Sequence, residues 1–251
     1  MRAIRGGRSR DDRQPRGGMT VPAIAIVVPA LDEAHNLQWL LPDLARRWPE
    51  AEVLVVDGGS RDATVEVVQR QAGVRCLASA PGRARQMNTG ARATRGELLV
   101  FLHADTRLPD GALEAIQAAM RDPRVIGGRF DVAFDSPRPI MRITAGLMNV
   151  RSRLSGIATG DQTIFVRRAA FEALGGFPDI PLMEDVEFSR GLKRRGRLAC
   201  LRLRVTTSAR KWEREGPLRT VLLMWTLRLL YVLGASPRRL HRWYYGRDPA
   251  P

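Results

Sequence analysis

Residues 23–29, Ala-Ile-Ala-Ile-Val-Val-Pro, form an unbroken run of β-prone apolar residues. A strand without a polar side suits a parallel sheet that is covered on both faces. Three similar runs follow in the first half of the chain, at 52–57, 74–78 and 97–102. Segments with helical spacing of their apolar residues separate these runs. This alternation predicts an α/β protein with a doubly wound, mostly parallel sheet.

The second half of the chain has a more mixed pattern. A predicted helix at 111–120 precedes predicted strands at 125–134 and 163–166. Residues 171–177 are typical of a short helix that ends on glycine. We therefore expect a mixed half of the fold beside the parallel one.

The formal charge of +15 is concentrated at the two ends of the chain. Six arginines oppose two aspartates in 1–18, fifteen lysines or arginines oppose three acids in 193–251, and 19–192 carry a net charge of −1. Nucleic-acid-binding domains more often spread basic groups over one folded face with interleaved aromatic residues, which make up only 6% here. Binding to nucleic acid is therefore not expected. Cys76 and Cys200 lie far apart, which favours a cytoplasmic protein over a disulfide scaffold.

Acidic side chains follow three of the predicted strands. They are Asp32 and Glu33 after the first, Asp57 after the second and Asp105 after the fourth. Ligands of open parallel sheets bind beyond the carboxyl ends of the strands, so we expect these acids to meet at one edge. Asp57 begins a Gly-rich turn and can accept hydrogen bonds from a nucleobase or a ribose. A capped turn without a ligand is the alternative. A classical dinucleotide site is not expected, because the sequence lacks a G-x-G-x-x-G motif.

Two further pairs of residues are candidates for chemistry. His103 and Asp105 project to the same side of an extended chain, so both could reach a Mg²⁺ or Mn²⁺ ion that also binds substrate phosphates. For His103, a histidine of the core or one that only supports a ligand is the alternative. Glu184 and Asp185 precede a helical stretch, where acids can complement the helix dipole or supply a base for a hydroxyl proton.

Six short segments carry a resemblance to a known enzyme family. They are Val28-Pro29-Ala30-Leu31-Asp32-Glu33, Val56-Asp57-Gly58-Gly59-Ser60-Arg61-Asp62, Gly82-Arg83-Ala84-Arg85-Gln86-Met87-Asn88, Phe101-Leu102-His103-Ala104-Asp105-Thr106, Gly160-Asp161-Gln162 and Glu184-Asp185. Over roughly 23–215 the chain resembles glycosyltransferase family 2, which has the GT-A fold. More narrowly, it is similar to the bacterial branch associated with radical-SAM and selenoprotein-type domains.

The resemblance implies a role for each matching position. The positions implied to bind the donor nucleotide are Pro29, Glu33, Asp57, Arg83, Asn88 and Asp105. Those implied to hold a divalent cation, Mg²⁺ or Mn²⁺, are Asp105 and His103. Asp185 matches the catalytic base, and the acceptor-side positions are Asp161, Gln162 and Glu184. The element implied to lie near the diphosphate consists of Arg210, Lys211 and Trp212.

The resemblance also implies an activity, with two departures from the family pattern. Gly58 replaces an Asp that many members have, and His103 replaces the first Asp of the D-x-D element, so the site carries less negative charge. The implied enzyme is an inverting, metal-assisted glycosyltransferase of hexosyltransferase type that moves a sugar from a nucleotide sugar to a hydroxyl. A sugar-phosphate nucleotidyltransferase and a non-catalytic nucleotide- or membrane-binding module are the alternatives.

The sequence divides into a basic arm at 1–18, a GT-A domain at 19–215 and a basic C-terminal tail at 216–251. The tail contains an apolar stretch that Arg219 and Arg228 interrupt, which favours an interfacial amphipathic helix over a membrane span. Such a tail predicts peripheral contact with the inner face of the cell membrane and suits a lipid-linked acceptor. An ordinary core-packing helix is the alternative.

Overall fold

A computed structural model describes residues 22–246 and Asp248, so the predicted arm at 1–18 lies outside the described residues. The strands are β1 (Ile24–Ala30), β2 (Glu52–Asp57), β3 (Val74–Ala78), β4 (Leu98–Phe101), β5 (Thr106–Arg107), β6 (Val125–Phe134), β7 (Ile164–Arg167) and β8 (Arg197–Thr207). The helices are α1 (Ala34–Arg47), α2 (Thr64–Arg70), α3 (Arg83–Ala93), α4 (Ala112–Ala119), α5 (Pro139–Ser155), α6 (Arg168–Leu174), α7 (Glu184–Lys193), α8 (Arg210–Glu215), α9 (Pro217–Val232) and α10 (Pro237–Tyr245). A single 3-10 turn spans Gly160–Gln162.

The strands form one sheet in the order β3-β2-β1-β4-β7-β6-β8-β5. The first four strands in this order are parallel, whereas β7 is antiparallel to both of its neighbours, β4 and β6. β6 and β8 are parallel, and the short β5 pairs antiparallel with β8 at the edge. The structure confirms the predicted α/β fold, with a mostly parallel half and a mixed half.

The sheet is covered on both faces around β1. Ile24, Ile26 and Val28 belong to one buried apolar cluster, and Ala25 and Val27 belong to a second one. Because successive side chains of a strand point to opposite faces, these two sets lie on opposite sides of the sheet. The continuous apolar run therefore reflects a strand that has no side toward water.

The second half differs in part from the sequence prediction. Residues 139–155 form the helix α5, although the sequence shows no clear helical pattern there. Met141, Ala145 and Met148 are buried in the core, whereas Ile143 and Leu154 are exposed. Apolar side chains on both sides of a helix blur the 3.6-residue period that reveals helices in a sequence.

The C-terminal tail packs onto the domain through α9 and α10. Leu227 and Leu240 are buried in a cluster with Met183 and Val186, at the start of α7. This packing agrees with the core-packing alternative for the inner side of the tail. Within 22–246, no helix is long and apolar enough to cross a membrane.

Candidate active site

The loops after β1 and β2 are joined by hydrogen bonds at the carboxyl edge of the sheet. Asp32 has a left-handed backbone with a φ of 55°. Its N–H donates to the Ser60 hydroxyl at 2.9 Å, and its carboxylate accepts from the Arg61 N–H at 2.7 Å. The next N–H, that of Glu33, donates to Thr64 Oγ1 at 2.8 Å. These hydrogen bonds therefore hold the loops after β1 and β2 together as one unit.

Asp57 lies at the end of β2 and is only 6% exposed. Its carboxylate accepts hydrogen bonds from the N–H groups of Gly59 and Ser60 and from the Ser60 hydroxyl. These bonds match the capped turn that the sequence allowed as an alternative. A ligand that reaches Asp57 would meet a carboxylate already held in place by the turn.

Gln86 is a buried polar residue of this edge that sequence reasoning did not assign to the site. Its side-chain amide donates to the carbonyl oxygen of Ala30 at 2.7 Å and to that of Val56 at 2.8 Å. It thereby ties the ends of β1 and β2 together from α3. The only sequence signal was a glutamine on the inward side of a helix, within the segment that matches the family.

Glu33 and Asp105 share the space beyond β1 and β4. Burial raises the pKa of Glu33, and the hydrogen bond from Asn36, at 2.5 Å, opposes this rise. The charge of Asp105 raises the pKa of Glu33 further, and that of Arg210 lowers it. The structure thus brings together two predicted site carboxylates, those of Glu33 and Asp105, and one predicted basic side chain, that of Arg210. Pro29 lies just before this loop and pairs with Val56 across the sheet.

Arg83 and Asn88 both lie on α3 but have different surroundings. The Arg83 guanidinium is 3.6 Å from the Glu184 carboxylate and has a half-exposed side chain. Asn88 uses both ends of its amide on the Phe177 backbone, accepting from its N–H at 2.9 Å and donating to its carbonyl at 2.8 Å. The structure thus gives Asn88 a role in holding the loop after α6.

His103 lies just beyond β4 and faces the turn at 160–162. Its side chain is 14% exposed, and its Nδ1 is 3.7 Å from the Asp161 carboxylate. A Cβ on Gly160 would lie 2.5 Å from the His103 ring, so the ring packs directly on this glycine. Burial, assisted by the charge of Arg83, lowers the pKa of His103 to about 4. The imidazole is therefore neutral at pH 7.

Asp185 is fixed at the start of α7 by the same turn. Its Oδ2 accepts the Gly160 N–H at 2.9 Å, and its Oδ1 accepts the N–H of Val186 at 2.7 Å. Gln162 is fully buried, and its amide faces the amide oxygen of Asn149 at 3.4 Å. Asp185 thus has a defined orientation, whereas Gln162 supports the turn from inside.

The Glu184 side chain is buried, whereas that of Asp161 is 37% exposed. Burial raises the pKa of Asp161, with Arg83 opposing the rise and Asp185 adding to it. Burial also raises the pKa of Glu184, to about 7, and Arg83 again opposes this rise. A group that titrates near neutral pH in a cleft is a frequent feature of functional sites.

The basic-aromatic element lies on α8 at the other wall of the cleft. Lys211 donates a hydrogen bond to the Tyr244 hydroxyl and lies 3.9 Å from the centre of its ring. Trp212 packs edge-on against Phe134, with 5.2 Å between ring centres. The contact of Lys211 with Tyr244 brings α10 to the cleft, which the sequence did not suggest.

The end of β4 suits a divalent cation that takes most of its ligands from a substrate and water. No group of three or more His, Cys, Asp or Glu able to hold a metal occurs among the described residues. Mg²⁺ is usually bound by one or two carboxylates together with substrate phosphates. Asp105 fits this requirement, because its Oδ1 accepts only the Thr106 hydroxyl, at 3.3 Å, and its Oδ2 accepts no hydrogen bond from the described residues.

Comparison with known proteins relates this arrangement to other sequences. The profile of glycosyl transferase family 2 matches residues 25–175. The glycosyltransferase AglE of Haloferax volcanii is 25% identical over 175 residues, which are 64% of this chain and 57% of AglE. The dolichol-phosphate mannosyltransferase of Mycosarcoma maydis is 27% identical over 141 residues, which are 49% of this chain and 48% of that protein. The chain thus spans about half the length of these two relatives.

Solved structures share the fold. The mannosyltransferase PcManGT from Pyrobaculum calidifontis, in complex with GDP-Man and Mn²⁺, has a TM-score of 0.59 and 23% identity, covering 75% of this chain and 57% of its own. The S. aureus TarS 1–349 structure with UDP-GlcNAc has a TM-score of 0.59 and 16% identity, covering 74% of this chain and 58% of its own. At such identities the likeness establishes the GT-A fold. Because the family profile covers more than half of the chain, the protein belongs to glycosyl transferase family 2.

Proposed function

We propose that this protein is an inverting glycosyltransferase that transfers a sugar from a nucleotide-sugar donor to a hydroxyl acceptor. Family membership and the convergence of acidic groups beyond β1, β2 and β4 support this proposal. The names of the relatives, which include a mannosyltransferase, agree with a hexosyltransferase. The similarity of the sequence motifs to the radical-SAM- and selenodomain-associated branch makes that branch the proposed subgroup.

The donor nucleotide is proposed to bind along the edge formed by the ends of β1 and β2. Pro29, Glu33 and Asp57 line this edge. The positively charged guanidinium of Arg83, at the start of α3, would bind the phosphates. Asn88 would act indirectly, since its amide is engaged by the Phe177 backbone. On the opposite wall, Arg210 and Lys211 with Trp212 are proposed to lie beside the diphosphate.

Asp105 is proposed to hold a divalent cation, with His103 as a further ligand or as a neutral support. Such an ion, when bound, would supply positive charge against the diphosphate of the leaving group. PcManGT is described in complex with Mn²⁺, which agrees with this proposal for a protein of the same fold. The low pKa of His103 means that its imidazole would not add a competing positive charge.

Asp185 is proposed to be the general base. Its carboxylate takes the proton from the acceptor hydroxyl, whose oxygen attacks the anomeric carbon while the bond to the diphosphate breaks. A single displacement of this kind inverts the anomeric centre through an oxocarbenium-like transition state. Asp161 and Gln162 would line the acceptor side, and Glu184 would position Arg83 beside the base.

The observation that carries the proposal is the shared environment of Asp105 and Asp185. They lie 80 residues apart in the sequence, yet the charges of both act on His103. The nearness of both carboxylates to one imidazole supports a cation-binding role for Asp105 and a base role for Asp185. Metal-assisted, inverting transfer of a sugar from a diphosphate uses these two functions in one cleft.

We further propose that the catalytic domain at 19–215 acts at the inner face of the cell membrane and that the tail at 216–251 contacts the lipid. Exposed apolar side chains on the outer sides of α5 and α9 support this proposal, and they include Ile143, Leu147, Val150, Leu154, Leu218, Leu222, Trp225 and Leu229. Contiguous apolar surface of this kind marks contact with a membrane or another protein. Arginines of the tail, such as Arg219 and Arg239, would be attracted to the anionic lipids of a membrane leaflet.

Thermal unfolding with UDP-, GDP- and dTDP-sugars, with and without Mn²⁺, tests the proposed function. A donor at one hundred times its Kd should raise the Tm by about 5–10 °C, since binding to the native state stabilises it by mass action. Asp105→Asn should reduce the part of the shift that needs Mn²⁺, whereas Glu114→Gln on the exposed side of α4 should not. The absence of a shift with every sugar nucleotide would contradict the proposal.

A further inference from the structure

An open recess lies beside the proposed base, between α5, the turn at 160–162, α8 and α9. Its walls are mostly apolar and include Met148, Trp212, Met224 and Trp225. The charged residues that line it are Arg151, Asp161 and Arg228. Apolar walls with a few polar groups are the usual lining of a small-molecule site.

Neither arginine of the recess makes a hydrogen bond to any of the described residues. Nε and one terminal nitrogen of Arg151 are buried and make no hydrogen bond. Neither Arg151 nor Arg228 forms an ion pair with any of the described residues. Buried polar groups are normally hydrogen-bonded, and an unpaired buried charge is unfavourable. The recess therefore contains two guanidiniums that no described residue pairs directly, with the carboxylates of Asp161 and Asp185 nearby.

Two other arginines of the fold, Arg167 and Arg168, donate hydrogen bonds to backbone carbonyl oxygens. Arg168 donates to the carbonyl oxygens of Gly96, at 2.8 Å, and Ala91, at 2.6 Å, and to Thr94 Oγ1. Arg167 donates to the carbonyl of Val125 at 2.9 Å. Arg151, with two buried nitrogens that make no hydrogen bond, differs from these two arginines.

The charges of the two arginines act on each other, and the carboxylates of Asp161 and Asp185 act on both of them. Burial, assisted by the charge of Arg228, lowers the pKa of Arg151 to about 10, and burial also lowers the pKa of Arg228. The charges of Asp161 and Asp185 act on both arginines in the opposite sense. At pH 7 both guanidiniums remain charged, so a bound anion would relieve their mutual repulsion.

We propose that this recess is the acceptor site and that Arg151 and Arg228 bind an anionic group, a phosphate or a carboxylate, attached to an apolar chain. Arginine suits such groups because its planar guanidinium donates two parallel hydrogen bonds to their oxygens. The apolar walls continue to Leu147 and Trp225, which are also part of the exposed apolar surface. An amphiphilic acceptor can therefore enter from a lipid surface with its anionic group at the two arginines and its hydroxyl toward Asp185. This inference rests on the proposed function.

Fluorescence titration can test the site without a known acceptor, because Trp212 and Trp225 line the recess. The probes are decyl phosphate, decanoate and decanol below their micellar concentrations, and inorganic phosphate. We expect an anionic probe to bind more tightly than decanol, and Arg151→Gln and Arg228→Gln to weaken that binding by about 10–100-fold. Whichever of decyl phosphate and decanoate binds more tightly identifies the anion, and tighter binding than inorganic phosphate supports the apolar part of the site.

Arg142→Gln is the matched control, because Arg142 is an exposed arginine of the same helix as Arg151 and does not line the recess. Arg151→Lys keeps the charge and should bind with intermediate affinity, which guards against a variant that fails to fold. Equal binding by the wild type and both glutamine variants, or equal binding of decanol and decyl phosphate, would overturn the inference. Nucleotide-sugar binding by the wild type is measured separately, so its failure would count only against the proposed function.

Discussion

Gln86 offers a sharp test of how the fold builds the donor edge. It is 5% exposed, and its amide donates to the carbonyl oxygens of Ala30 and Val56 at the ends of β1 and β2. Gln86→Leu keeps the volume of the side chain but removes both hydrogen bonds. The ends of the two strands then lose the bridge that sets the distance between the loops carrying Glu33 and Asp57.

The expected loss of free energy of unfolding follows from the two hydrogen bonds of the Gln86 amide. Each hydrogen bond is expected to contribute about 1 kcal/mol, and a carbonyl left without a partner in the interior costs up to about 3 kcal/mol. The Ala30 oxygen keeps a second partner, the Gly58 N–H at 2.9 Å, so its loss should fall at the low end. We therefore expect Gln86→Leu to lower the free energy of unfolding by about 2–4 kcal/mol.

Urea unfolding measures this change, and titration with the donor identified by thermal unfolding measures its effect on binding. We expect weaker donor binding alongside the loss of stability. Gln117→Leu is the control, because the Gln117 amide makes one hydrogen bond of 3.4 Å to the Pro22 carbonyl and should matter little. A stability and a donor affinity equal to those of the wild type in Gln86→Leu would refute the bridging role.

Three further changes have defined outcomes. Gly160→Ala would place a Cβ 2.5 Å from the His103 ring, so urea unfolding should show a loss of about 1–3 kcal/mol, and an unchanged stability would contradict this packing. Burial raises the pKa of Glu184 from 4.5 to about 7, so the wild type loses stability as pH rises from about 4.5 to 7, and the loss levels off above that pH. The stability of Glu184→Gln relative to the wild type should therefore rise by up to about 3 kcal/mol over this range, and a pH-independent difference would refute this. Serine at both Leu222 and Leu229 should reduce sedimentation with anionic vesicles, and full binding would exclude the outer side of α9.

The parallel half of the fold could be predicted because its strands are buried on both faces. A strand such as β1, with Ile26 and Val27 on opposite sides and both fully buried, leaves a continuous apolar run that a sequence shows directly. The acids after these strands could be assigned to one edge for the same reason. Parallel strands bring their carboxyl ends together whatever the details of the loops.

The mixed half could not be predicted with the same success, because long-range contacts define it. α5 has apolar residues on two sides, one for the core and one exposed, so it lacks a clear helical period. Arg151 is one of 41 lysines and arginines, and only the three-dimensional structure distinguishes it as unpaired. The polar atoms of Asn88 likewise face Phe177, 89 residues away, which no local pattern indicates.

The release of nucleoside diphosphate from a nucleotide sugar by the wild type and by Asp185→Asn tests the central proposal most directly. The amide keeps the shape of the carboxylate and cannot accept the hydroxyl proton, so turnover should fall by about 10²–10⁴-fold while the donor Kd changes by less than about twofold. Asp110→Asn, at a fully exposed side chain, should retain full turnover. No release by the wild type, or equal turnover by Asp185→Asn, would contradict sugar transfer with Asp185 as its base.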